Sequence, residues 1–101
     1  MKINWENTPS GSSLTMDGEL TIYNVAMAKS MLLDDIQNTV DPIALDLANI
    51  SDIDTAGVQL LLFSKKIFSE NNKHLYLSKS NEHVDTALKN FDVAAYFNLE
   101  N

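Results

Sequence analysis

The sequence predicts a small α/β domain, a central mixed sheet of four to five strands with about four helices, and three observations carry that reading. First, the apolar run Ile43-Ala-Leu-Asp-Leu47 is followed by a long apolar helical pattern from about Thr55 to Asn71, and then by a strand pattern from His74 to Ser78. Strand, helix and strand in that order form a crossover unit, whose strands run parallel with a right-handed connection. Second, apolar residues near the start alternate with polar ones, as in half-buried strands. Third, 101 residues with 45% hydrophobic content suit one domain over residues 1–101, with a real core and no room for a second.

Taken in order, Ile3 and Trp5 mark a first strand, and Leu14 and Met16 a second after the Thr8-Pro-Ser-Gly-Ser12 turn cluster. Leu20 and Ile22 continue the alternation as a hairpin or a bent strand, with the break at Asp17-Gly18. Asn24 is placed to cap a first helix in which Val25, Ala28, Leu32 and Ile36 share a face and Met27, Met31 and Leu33 widen it; the two methionines read as core filler. Asp41-Pro42 ends the connection. Ile43 to Leu47, interrupted only by Asp46, reads as a strand covered on both faces. The polar run Glu70-Asn-Asn-Lys73 marks the exit of the long helix. A third helix is capped by Ser80 or Asn81 and buries Val84, Ala87, Leu88 and Phe91, and a final apolar turn spans Val93 to Leu99.

Composition narrows the function classes. There is no cysteine, so disulfides, thiolate metal sites and thiol catalysis are excluded, which fits a reducing compartment. The first residues lack the basic start and apolar run of a signal peptide and no stretch approaches a membrane span, so a cytoplasmic protein without direct membrane insertion is expected. Seven lysines against fourteen acids give a formal charge of -7, the wrong sign for nucleic acid. Lys65 and Lys66 read as a solvated helix face. His74 and His83 are isolated and lack ligand spacing, so neither a metal site nor a cofactor is expected. Trp5, Tyr23, Tyr76 and Tyr96 are scattered and read as core or partly buried aromatics.

Chemistry concentrates where the central strand hands over to the long helix. Asp54 or Thr55 caps that helix, and its first-turn amides would face a phosphate carried on Thr55. Asp46, Asp52 and Asp54 lie nearby in sequence and would oppose such a phosphate, so modification would change the local field sharply. Gly57 either leaves room for another backbone or packs closely on the sheet. The helix has two apolar stripes, one of Ala56, Leu60, Phe63 and Ile67 and an opposite one of Val58, Leu61, Leu62 and Phe68. Either the surplus stripe is a docking surface, or the helix is wedged between the sheet and a neighbouring helix.

The segment Ile53-Asp-Thr-Ala-Gly-Val-Gln-Leu-Leu-Leu62 resembles the signature of the STAS family, the anti-sigma-factor antagonists and their relatives, in which an apolar strand precedes an Asp-Ser-Ser-Gly-Leu-like helix start. Leu14-Thr-Met-Asp-Gly-Glu-Leu-Thr21 is similar to the family's early strand pair, and the element order agrees over nearly the whole chain. The resemblance implies a STAS-like sandwich and a partner switch. In such a switch, the resemblance implies, a kinase-like anti-sigma partner of serine/threonine type phosphorylates the hydroxyl after the Asp, which here would be Thr55, and a phosphatase restores it. It also implies Asp54, Ala56, Gly57, Val58, Leu61 and Thr21 as partner-binding positions. Ala56 stands where the family has a second hydroxyl, and Thr21 where it often has an Asp.

Two further readings compete with a regulated switch. The Asp-Thr-Ala-Gly form is also similar to the STAS subunit of phospholipid-trafficking ABC transporters, a constitutive scaffold, and small STAS proteins accompany chemotaxis kinases. An enzyme is the third class, because Asp52-Ile-Asp-Thr55 superficially matches the nucleophile loop of haloacid-dehalogenase-type phosphatases. That chemistry needs its first Asp at the end of a buried strand, and the apolar run ends earlier, at Leu47, so a non-enzymatic module is expected. No sequence feature sets the oligomeric state.

Overall fold

The structure, a computed structural model, describes residues 1–34 and 36–97. Its elements are β1 (Lys2–Thr8), β2 (Gly11–Leu20), α1 (Val25–Leu33), β3 (Ile43–Ile53), α2 (Thr55–Glu70), β4 (Leu75–Lys79) and α3 (Glu82–Asn90), with single 3-10 turns at Ile36–Asn38 and Ala94–Phe97. The four strands form one mixed sheet in the order β1-β2-β3-β4, antiparallel between β1 and β2 and parallel across β3 and β4. The crossover from β3 through α2 to β4 is therefore the expected parallel unit. Leu99 lies outside the described residues.

Strand pairing aligns the core. Trp5 sits opposite Leu14, Leu14 opposite Leu45 and Leu45 opposite Leu77, so a row of apolar side chains crosses the sheet on one face. That face carries the buried Leu14, Met16, Ile43, Leu45, Leu47 and Leu75, and the helices cover it with Val58, Leu61, Phe68, Val84 and Leu88. Phe68 meets Trp5 with ring centroids 6.4 Å apart. Ala44 and Asp46, on the other face, are only half-buried, so β3 is not covered on both sides. The apolar residues of β3 alternate with Ala44 and Asp46, and alternation is the mark of a sheet with one solvated face.

Several expectations change. β3 continues to Ile53 instead of stopping at Leu47, because β2 pairs alongside it: Asp17 lies opposite Asn49, Gly18 opposite Ile50 and Leu20 opposite Ile53. β2 is a single bent strand whose register shifts between Thr15 and Asp17 and between Gly18 and Glu19. Gly18 takes φ +124°, a conformation that side chains resist. Met27 and Met31 reach solvent, as do Tyr23, Tyr96 and Phe91, so none of these is core. They lie on the outer side of α1, in turns or in the Ala94–Phe97 turn, away from the single face the sheet can bury. Lys65 is half-buried; its Nζ donates to the Leu75 carbonyl at 2.9 Å and stands 5.5 Å from the Phe97 ring centroid, and burial lowers its pKa. The solvated-face reading holds only for Lys66.

Helix ends follow local chemistry. The Asn81 side chain accepts from the Val84 N–H, and its amide donates to the carbonyls of Ala48 and Ile50, so one residue caps α3 and pins it to β3. Asn72, at φ 62°, ends α2 within the polar exit run, and the Lys73 N–H returns to the Phe68 carbonyl. The Lys73 ammonium then binds the carbonyls of Ile36 and Thr39 and the Thr39 hydroxyl, tying the α1–β3 connection to the end of α2.

At its other end α2 approaches β2 through Gly57. A Cβ on Gly57 would stand 2.0 Å from the Leu20 carbonyl oxygen and 2.9 Å from Ile53 Cγ1, so the close-packing alternative holds and the neighbour is the chain's own backbone. Gly57→Ala forces the helix off the strand and is expected to destabilise the fold by about 1–3 kcal/mol, the range for overpacking. Urea unfolding checks it: an unchanged midpoint would contradict the contact.

Candidate functional site

The start of α2 is organised by one carboxylate. Asp54 stands at the N-cap with extended backbone, and its Oδ1 accepts from the Gly57 N–H at 3.1 Å. Its Oδ2 accepts from the Ile22 N–H at 2.9 Å, in the loop between β2 and α1. The Asp54 N–H in turn donates to the Leu20 carbonyl at 3.3 Å. Two loops far apart in sequence are thereby joined at a single side chain. The cap is Asp54, which leaves Thr55 as the first helical residue, exposed and with no hydrogen bond from its hydroxyl among the described residues.

Electrostatics at this point favour the ionised acid. The Ile22 N–H, followed by the smaller contributions of the Gly57 and Ala56 amides, lowers the Asp54 pKa below the ordinary carboxylate value despite some desolvation. A phosphate on Thr55 would meet a helix end whose Gly57 amide is already taken by a negative group. Asp52 is exposed and within reach in sequence, whereas Asp46 is not: it lies six strand residues before Asp52, roughly 20 Å along β3 at ~3.3 Å per residue.

The structure separates the expected partner-binding positions into surface and support. Asp54 and Ala56 are half-buried at the surface beside Thr55. Gly57, Val58 and Leu61 are buried, the last two on the stripe that faces the sheet, so they hold the helix in place and present no contact surface. Thr21 is 5% exposed, with its hydroxyl buried and without a hydrogen-bond partner among the described residues. Its N–H binds Asn24 Oδ1 and its carbonyl receives the Asn24 and Val25 N–H groups, which shapes the turn into α1. Asn24 thus spends its side chain on the turn and makes no side-chain cap to α1.

The surplus apolar surface lies on the other stripe of α2. Leu60 is buried, which accords with the wedged-helix alternative, because α1 packs against α2. Phe63 is 39% exposed, and with Ile22, Val25, Ala26, Ala56 and Leu60 it lines an open groove of about 310 Å³ between the two helices, next to Thr55. Lys29 Nζ stands 4.7 Å from the Phe63 ring centroid at the rim. Ile22 is 64% and Tyr23 93% exposed. These loop residues belong to the surface around the site and were not singled out from sequence, although a large apolar pair between a strand and a helix cap is a visible signal. The reach of β3 to Ile53 also removes one objection to a phosphatase, since Asp52 is near a strand end. Yet Asp52 is solvent-exposed and turns to the Ile53 N–H, and Asp54 is committed to backbone amides.

Because its folded pKa is depressed, ionised Asp54 stabilises the fold fully above the unfolded carboxylate value of about 3.9, and that contribution is lost as pH falls through the lower folded value. Asp54→Asn keeps one acceptor for the cap but no charge. Its stability deficit against the original chain is expected to stay constant from pH 7 to about pH 4 and to shrink below that. A deficit independent of pH, measured by urea unfolding at each pH, contradicts an ionised clamp.

Comparison with known proteins agrees with this geometry. The model of the STAS domain matches residues 2–101. The anti-sigma-B factor antagonist of Staphylococcus epidermidis is 30% identical over 67 residues, which are 66% of this chain and 62% of that protein, so the match spans less than two thirds of the relative. The unphosphorylated anti-sigma factor antagonist SpoIIAA superposes with a TM-score of 0.75 at 16% identity, covering 94% of this chain and 84% of that one. The phosphorylated form of the Bacillus cell fate determinant SpoIIAA superposes at 0.69 with 18% identity, covering 94% and 87%. The fold is therefore shared with SpoIIAA. With the family model running over nearly every residue and the Asp54-Thr55 helix start in place, this chain belongs to the STAS domain family.

Proposed function

We propose that this protein is a phosphorylation-controlled binding module of the anti-sigma factor antagonist type, acting on a kinase-like anti-sigma partner in the cytoplasm. One observation carries the reading: Asp54 does the capping, so the exposed Thr55 hydroxyl is available at the edge of an apolar groove. In the unmodified state the partner covers the groove and the start of α2. Phosphorylation of Thr55 places roughly -1.5 to -2 charges beside a carboxylate held ionised by two backbone amides. Mutual repulsion and a hydration shell at the groove then release the partner, and a phosphatase resets the module. The names of the relatives, an anti-sigma-B factor antagonist and SpoIIAA in both phosphorylation states, support this direction. The module itself is read as non-enzymatic, with binding in place of turnover.

Incubation with the cognate kinase and ATP is expected to place one phosphate on Thr55, read by mass spectrometry, and Thr55→Ala abolishes it. Since Thr55 is not the cap, Thr55→Ala should shift stability by less than about 0.5 kcal/mol and leave partner affinity intact. Thr55→Glu should weaken binding more than about tenfold, the equivalent of 1.4 kcal/mol. Unchanged affinity for Thr55→Glu together with no phosphate on Thr55 refutes the switch.

The groove makes a separate prediction. Ile22→Ser should lower partner affinity by about tenfold or more while leaving the unfolding midpoint nearly unchanged, because that side chain is 64% exposed. Calorimetric titration measures it. Affinity capture distinguishes the scaffold alternatives: recovery of a transporter ATPase or a chemotaxis kinase, and no anti-sigma factor, redirects the function while leaving the fold untouched.

A further inference from the structure

The outer edge of β1 has the sequence and the hydrogen-bond polarity to pair with itself. Ser12 sends its N–H to the carbonyls of Val40 and Pro42, on the β3 side of β2. Its register partner on β1 is Asn7, so this is a pair whose backbone groups face away from each other, and the Asn7 N–H and C=O point out of the sheet. The β1–β2 register runs from Lys2 to Thr8 without a shift, so alternation gives Trp5 and Ile3 the same outward orientation. β1 is the terminal strand, and among the described residues no backbone group of Ile3, Trp5 or Asn7 has a partner on that side.

We propose that β1 pairs antiparallel with β1 of a second copy of this chain, about a twofold axis at Asn4, so that two four-stranded sheets become one. A hydrogen-bonded pair across such an edge must join two outward-pointing residues, which limits the register to steps of two. With the axis at Asn4, Ile3 faces Trp5 of the copy and each of these two pairs exchanges two backbone bonds. The same register sets Lys2 opposite Glu6 of the copy, and the twofold repeats the pair. Moving the axis to Trp5 sets Lys2 against Thr8 and Glu6 against Asn4; moving it to Ile3 sets Lys2 against Asn4. Only the Asn4 axis pairs the charges.

Side-chain faces agree with that register. Lys2 and Glu6 are exposed on the open face of the sheet, where opposite charges across strands attract. Ile3 and Trp5 are half-buried on the helix-covered face, and each would be covered further by its counterpart. An unpaired edge is usually protected by charges that repel another strand. Here the one lysine and the one acid of β1 face neutral residues when the axis is moved to Ile3 or Trp5, and they attract only in the self-complementary register. β2 lies between β1 and β3, so the pairing edge does not include the Thr55 site.

Sedimentation analysis from about 1 µM to about 1 mM protein tests the proposal, across the range in which weak interfaces populate. A reversible monomer–dimer equilibrium is expected. Lys2→Glu or Glu6→Lys alone turns two symmetry-related pairs repulsive and should raise the dimer Kd about tenfold, and the double exchange Lys2→Glu with Glu6→Lys should restore it. Both positions are exposed, so thermal unfolding of dilute protein should not move. Independently of any variant, amide exchange of Ile3 and Trp5 should slow with concentration while that of Asn4, which points to β2, does not. A monomer throughout, an assembly that grows beyond a dimer, a dimer indifferent to the single exchanges, or a double exchange without recovery overturns the proposal.

Discussion

The Asp54 carboxylate, held between the N–H groups of Ile22 and Gly57, is the contact on which the working end of this protein depends. It closes three requirements at once. The first turn of α2 needs an acceptor for its orphan amides, the loop after β2 needs an anchor, and the two must be held together for a groove to exist between α1 and α2. Gly57 makes the closure possible, because only a residue without Cβ lets the Leu20 carbonyl lie against the helix. Cap, loop and close approach therefore form one cooperative unit, in which losing any member loosens the others.

Behind this unit the sheet acts as a rigid platform. The apolar row from Trp5 through Leu14 and Leu45 to Leu77 gives the helices a continuous surface, and α2 spends Val58, Leu61 and Phe68 on it. What remains of α2 is shared between α1, which covers Leu60, and solvent, which reaches Phe63. Division of one helix between core and groove keeps Thr55 beside an apolar surface without making the hydroxyl part of the core. The same logic separates supporting residues from contact residues, a distinction that hydrophobicity cannot make because both kinds are apolar.

Much of this was legible in the chain. The crossover from β3 to β4, the capped third helix and the glycine break in β2 follow from local rules: period, cap residues and positive-φ preference. The errors share a cause. The apolar run marks an end of β3 at Leu47, yet the neighbouring β2 supplies hydrogen bonds that carry the strand to Ile53. Helical spacing marks Met27 and Phe91 as core and residue type marks Tyr23 as core or partly buried, but burial belongs to a face, and these side chains sit on faces the sheet does not reach. The resemblance carries Val58 and Leu61 as partner-binding positions, but theirs is the stripe of α2 that meets the sheet, and both are buried there.

The amino-acid sequence by itself determined the element order, the parallel crossover, the acidic character and the presence of a hydroxyl directly after an Asp at the start of α2, since each depends on residues close together in the chain. Tertiary structure decided which of Asp54 and Thr55 caps the helix, which stripe of α2 is buried and which edge of the sheet stays open. Those outcomes hang on contacts between residues more than thirty positions apart, such as Ile22 with Asp54, and on a sheet register that no local pattern encodes.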